Sequence, residues 1–170
     1  MGRGTRGCNP VRRCNWREFR FGKIARHARL LTNVLNDQSI AASAAKDYFK
    51  RKFPVTAAMP ASYREWTCDN DDRKPQSRPL RSYPSGHATL AFSVGVVLAD
   101  LMPEKSQAIL ARAADYAYSR EVCGDHYHSD VDASRALGTA VGIMLLESEA
   151  AKPQIEAART ELRAAHLTAK

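Results

Sequence analysis

Tyr83-Pro84-Ser85-Gly86-His87, followed after a helix-length gap by Ser119-Arg120-Glu121-Val122-Cys123-Gly124-Asp125-His126-Tyr127-His128-Ser129-Asp130, organises the reading of this 170-residue chain. Pro84-Ser85-Gly86 stands directly ahead of an apolar run, the pattern of a turn entering a capped helix, so a helix is expected over residues 85 to 102. Pro103 suits a first helical turn, and the next helix should run to about residue 122 with Gly124 as its stop. Ser129 suits an N-cap for a helix reaching about residue 149, and an amphipathic helix follows over about 153 to 165. Upstream, Ala-rich spacing predicts a helix from 24 to about 52, with a break allowed at Asn36-Asp37 and a stop imposed by Pro54. Residues 54 to 84 hold five prolines among polar side chains and read as an ordered but irregular loop. No strand-like alternation of useful length and no internal repeat occurs. The expected fold class is all-α: a compact helical bundle with one long irregular loop.

The same residues carry chemistry. Phosphoryl transfer needs a nucleophile, a proton donor for the leaving oxygen and fixed positive charge on the equatorial oxygens. Asp130 lies four residues after His126, so a helix beginning near Ser129 turns the carboxylate back toward one imidazole nitrogen and leaves the other free to attack phosphorus. Ser85 and Gly86 at a helix N-terminus offer backbone N–H groups and the helix dipole to an anion, with His87 in the first turn beside it. Arg120 supplies a planar donor fork suited to phosphate oxygens. None of these residues is diagnostic alone; their joint spacing from Pro84 to Asp130 is.

These two blocks resemble the phosphatidic acid phosphatase type 2 superfamily, and within it the soluble bacterial class A nonspecific acid phosphatases. The family pattern is a lysine, six residues and Arg-Pro; then Pro-Ser-Gly-His; then Ser-Arg, five residues, His, three residues and Asp. The resemblance extends from about Leu31 to the C-terminus. It implies His126 as the nucleophile that becomes phosphohistidine, Asp130 as its orienting partner and His87 as the acid for the leaving group. Lys46, Ser85, Gly86 and Arg120 would bind phosphate, with no metal or other cofactor required, although phosphate or vanadate could occupy the site. A disulfide between Cys68 and Cys123 is implied in the same way, and with it an oxidising, periplasmic or extracellular compartment. The activity implied is acid phosphatase action on small phosphomonoesters. A weakened or inactive phosphate-binding relative is the first alternative, and a vanadium haloperoxidase-like enzyme the second.

The first block departs from the pattern. Lys46 takes the family lysine's place, but Phe53-Pro54 stands where Arg-Pro is expected. Loss of that arginine is expected to cost about 2–4 kcal/mol of transition-state stabilisation, by analogy with removing one oxyanion donor. If the helix continues past Lys46 at about 100° per residue, Lys50 lies about 40° around the axis from Lys46 and Arg51 about 140°. Lys50 is therefore the better-placed substitute cation on this reading. His128, outside the pattern, reads as a surface or supporting residue.

Charge divides the chain. The formal net charge is +8, and residues 1–30, with nine basic side chains against the single acid Glu18, carry all of it. The chain is therefore divided into a basic N-terminal arm, 1–30, and a helical domain, 31–170. The arm shows no apolar signal-peptide core, and by the resemblance the helices that precede the lysine in the family are expected to be missing or altered. Three explanations stay open: a truncated or misassigned start, a tail that touches nucleic acid or anionic lipid, or a solvated extension. Nucleic acid is the less favoured partner. Cys8 and Cys14 lack the paired spacing of a zinc site and read as incidental. The longest apolar stretch, 88 to 102, is too short and too polar to span a bilayer. A homo-oligomer is compatible with the apolar surface that absent helices would leave.

Overall fold

The computed structural model describes residues 25–54 and 80–169. Among these, five α-helices form in order: α1 (Ala25–Phe49), α2 (Gly86–Leu101), α3 (Ser106–Val122), α4 (His128–Glu147) and α5 (Lys152–Ala164), with a short 3-10 turn (Pro103–Lys105) leading into α3. No strand occurs among the described residues, and the fold is all-α. Most of the expected irregular loop, residues 55–79, lies outside the described residues, as do residues 1–24.

The apolar run predicted to be a helix becomes the centre of the bundle. Its buried residues, Ala88, Thr89, Phe92, Ser93, Gly95, Val97 and Leu101, are distributed around the helix rather than along one stripe. A helix apolar on all sides must be enclosed, and α2 touches each of the other four helices. Leu30, Val34, Val97, Leu101, Leu145, Ile155, Ala158 and Leu162 form one core cluster. Ala88, Phe92, Ala113, Ala117 and Val131 form a second, toward the start of α2 and α4.

The crossing of α2 and α4 fixes the relation between the two sequence blocks. Ser134, Gly138 and Gly142 recur every four residues on one face of α4. They meet the backbone of α2 at matching four-residue steps: Ser134 Oγ donates to the Ser85 carbonyl at 2.9 Å, Gly138 lies on the Thr89 carbonyl and Gly142 on the Ser93 carbonyl. One turn earlier, the Ser85 N–H donates to the Asp130 carbonyl at 3.3 Å. The small-residue face thus brings the start of α2 directly against the start of α4.

Four local expectations change. α1 runs unbroken through Asn36-Asp37 and ends at Phe49, earlier than predicted. Lys50 adopts φ 46° while its N–H closes on the Lys46 carbonyl at 3.1 Å, a left-handed residue that terminates the helix without help from Pro54. Ser129 does not cap α4: the helix begins at His128, and the Asp130 carboxylate accepts the Tyr127 N–H at 3.0 Å from the N3 position. The boundary drawn at residue 30 falls inside α1, whose Arg26 and His27 N–H groups donate to Glu161 of α5 at 3.0 and 2.7 Å, and whose Leu30 is buried. A carboxylate at these first amides answers both the missing hydrogen bonds and the helix dipole.

Candidate active site

The site gathers at the end of the bundle where α2 and α4 begin and α1 ends. Asp130 is its buried centre, with no exposed surface. Its Oδ2 accepts the Ser82 hydroxyl at 2.5 Å and the Tyr127 N–H at 3.0 Å, and faces His126 Nδ1 at 3.4 Å. Its Oδ1 accepts Arg51 Nη1 at 2.7 Å. Burial pushes the Asp130 carboxyl up, but the hydrogen bonds from His126, Ser82 and the Tyr127 amide, with the Arg51 charge, outweigh it and hold the group below the usual carboxylate value. An ionised Asp130 on the Nδ1 side directs the opposite nitrogen, Nε2, away from the carboxylate.

His126 is buried, and its N–H donates to the Arg120 carbonyl at 3.2 Å. That bond ties the loop between α3 and α4 back onto the last turn of α3. The Arg120 guanidinium approaches Asp125 Oδ2 at 3.5 Å and the Ser119 hydroxyl at 3.1 Å, and its Cζ lies 5.4 Å from the Tyr116 ring centre. His87 lies on the first turn of α2, exposed, its ring centre 6.3 Å from the same Tyr116 ring. Tyr116 therefore neighbours both predicted groups.

Ser85 is buried and caps α2: its Oγ accepts the Ala88 N–H at 3.3 Å and keeps its own O–H to donate. Lys46, in the last turn of α1, reaches the same region. Its Cε would lie 3.8 Å from a Cβ built on Gly86, and its Nζ donates to the Arg81 carbonyl. Burial, reinforced by the Arg81 charge and opposed by Asp130, lowers the Lys46 ammonium to about 8. Asp47 pairs with Arg81 one residue further on.

The predicted cations near Lys46 change places. Lys50 is exposed, and the helical extrapolation that favoured it fails because α1 has already ended. The left-handed turn at Lys50 redirects the chain and delivers Arg51 to Asp130 instead. Phe53, at the position of the family arginine, sets its ring 5.5 Å from the His126 ring. His128 is a surface residue, with Glu121 at 3.0 Å and Asp132 at 3.1 Å on either side. Cys123 is buried just beyond α3, 3.9 Å from Arg120 Nη2, and Cys68 lies outside the described residues.

The PAP2 superfamily model matches residues 27–152, which include every group just described. The chain belongs to the PAP2 superfamily. This PAP2 chain is 33% identical over 134 residues to a non-specific acid phosphatase of Providencia stuartii, covering 78% of the chain and 52% of that protein. It is 33% identical over 143 residues to an acid phosphatase of Zymomonas mobilis, covering 84% of the chain and 52% of that protein. A non-specific acid phosphatase of Salmonella typhimurium is 32% identical over 134 residues. The PAP2 chain spans about half the length of the curated relatives it matches. Among the described residues, no helix is long and apolar enough to cross a membrane, and no group of three or more His, Cys, Asp or Glu side chains is arranged to hold a metal ion.

Sequence spacing did not reveal Arg51, Ser82, Tyr116 or Asp125. Tyr116 had a signal, since it lies four residues before Arg120 on one helix face. Arg51 and Ser82 had none, because their partner Asp130 is 79 and 48 residues away.

Proposed function

We propose that this PAP2 chain is a phosphomonoester hydrolase, an acid phosphatase that works through a phosphohistidine on His126 and requires no metal. The observation that carries the reading is the buried Asp130 on the Nδ1 side of His126, at 3.4 Å. Nε2 attacks phosphorus, the N–P bond forms as the P–O bond to the leaving group breaks, and His87 gives its proton to that oxygen. Water, deprotonated by His87, then attacks the phosphohistidine, releasing phosphate and restoring His126. Lys46, the Ser85 hydroxyl, the Gly86 N–H and Arg120 hold the equatorial oxygens. Acidic pH favours the first step, because His87 must carry its proton while His126 is free. A Cys68–Cys123 disulfide and a periplasmic or extracellular location complete the proposal. Phe53 beside His126, where the family carries arginine, favours reduced turnover.

Hydrolysis of p-nitrophenyl phosphate by wild type and His126→Ala tests the reading. Wild-type turnover lost in the variant, with radiolabelled phosphate trapped on wild type after acid-free quenching, is the expected result. Equal rates in the two proteins would remove it.

A further inference from the structure

We infer that Arg51 is a positioning residue for His126, fixing the plane of the carboxylate against which the imidazole is aligned. The inference rests on the phosphatase reading above. Arg51 reaches Asp130 through one nitrogen, Nη1, which lies 2.7 Å from both Asp130 Oδ1 and Ser129 Oγ. Its guanidinium lies over the Tyr127 ring, with Cζ 4.1 Å from the centre, and its carbonyl accepts the Ser82 N–H at 2.9 Å. Ser82 in turn holds the other carboxylate oxygen. Each oxygen of Asp130 is therefore gripped from a different side: Oδ1 by Arg51, and Oδ2 by Ser82 and the Tyr127 amide. A carboxylate held on one oxygen alone can rotate, and the imidazole aligned on it would follow. Displacement of a reacting group by about 1 Å costs roughly 100-fold in rate.

The pair differs from an ordinary surface bridge because its acidic member is wholly buried, so losing Arg51 leaves an enclosed charge with fewer partners. The charged and titratable groups facing Asp130 are His126 from the loop before α4, Lys46 from α1 and Arg51 from the segment after α1. The Arg120–Asp125 pair lies on the same loop as His126. Removing Arg51 from this set frees Oδ1, so the plane of the carboxylate that faces Nδ1 is no longer fixed from both sides. Lysine in place of Arg51 keeps the charge but loses the planar guanidinium that lies over the Tyr127 ring.

The test uses the full chain as wild type, Arg51→Met and Arg51→Lys, each checked for cooperative thermal unfolding. Steady-state hydrolysis of p-nitrophenyl phosphate gives kcat and KM, and the tautomer of the His126 ring is read by nitrogen-15 NMR. Arg51→Met should lose roughly 10- to 100-fold in kcat with little change in KM, and its His126 ring should no longer be held in the Nδ1–H form. Arg51→Lys should recover part of kcat and part of the Nδ1–H population. Wild-type kcat in Arg51→Met would overturn the inference, as would a loss of kcat with the wild-type tautomer, which marks a merely structural role. If Arg51→Met does not fold, Arg51→Lys decides alone: reduced kcat with a reduced Nδ1–H population supports the inference, and full kcat, or reduced kcat with the wild-type tautomer, refutes it. A wild type no faster than His126→Ala would sink the phosphatase reading instead, while the NMR tautomer still decides whether Arg51 positions His126.

Discussion

Gly138 of α4 meets the Thr89 carbonyl of α2 so closely that a Cβ there would stand 2.4 Å from that oxygen. The oxygen belongs to backbone, so relief requires the helices to separate. Gly138→Ala should therefore destabilise by about 1–3 kcal/mol, despite the roughly 1 kcal/mol that alanine gains over glycine in a helix interior. Because the same crossing sets Ser85 against Asp130, turnover should fall as well. Urea unfolding with an activity assay checks both; a variant as stable as wild type would show that the crossing tolerates a side chain.

Lys46 loses its charge as pH rises through about 8. Sulfate, whose own charge is constant in this range, should bind progressively more weakly above that pH, and Lys46→Met should bind weakly and without that dependence. Folding linkage has the same origin: the unfolded chain holds the Lys46 proton more tightly than the folded one, so this group's contribution to stability rises between about pH 8 and the ordinary lysine value. Isothermal titration with sulfate at several pH values is the measurement, and parallel curves for the two proteins would exclude Lys46 from the anion site.

Asp130 has the opposite sign. Its folded value is depressed, so its stabilisation is fully present above the unfolded carboxylate value of about 4 and is lost as pH falls through the folded value. Asp130→Asn should lose about 1.5–3 kcal/mol at pH 7, in the range of one charge-assisted hydrogen bond, and should show a flatter stability profile on acidification. Denaturant unfolding at pH 7 and at pH 3 tests this. An equal acid dependence in both proteins would place the depressed carboxylate elsewhere.

Phe53 touches the ring that is proposed to carry the phosphoryl group. Phe53→Arg should raise kcat for p-nitrophenyl phosphate several-fold by restoring a charge-assisted contact to the transferred group. An unchanged rate would mean that the position does not reach the substrate in this chain.

Much of the fold was legible because the signals were local. Pro84-Ser85-Gly86 announced a capped helix, and Ser85 Oγ does cap α2. The apolar run that follows announced a helix, and the structure encloses it at the centre of the bundle. The His126–Asp130 spacing announced their contact, now seen at 3.4 Å. Errors arose where an ideal helix was extended too far. The Lys50 reading assumed regular geometry through residue 52, but the left-handed residue at 50 ends α1 and changes which cation faces the site. Ser129 was read as a cap from its type, whereas the Asp130 carboxylate satisfies the Tyr127 amide and Ser129 is recruited by Arg51.

The sequence alone determined the five-helix order among the described residues, the cap at Ser85 and the family motifs, because each depends on residues within a few turns of one another. The tertiary structure decided what surrounds Asp130. Its partners come from the end of α1, the approach to α2 and the loop before α4, brought together by the Ser134/Gly138/Gly142 face on the α2 backbone. Electrostatics depends on distance in space, and no spacing along the chain encodes that Arg51 and Ser82 close on the same carboxylate.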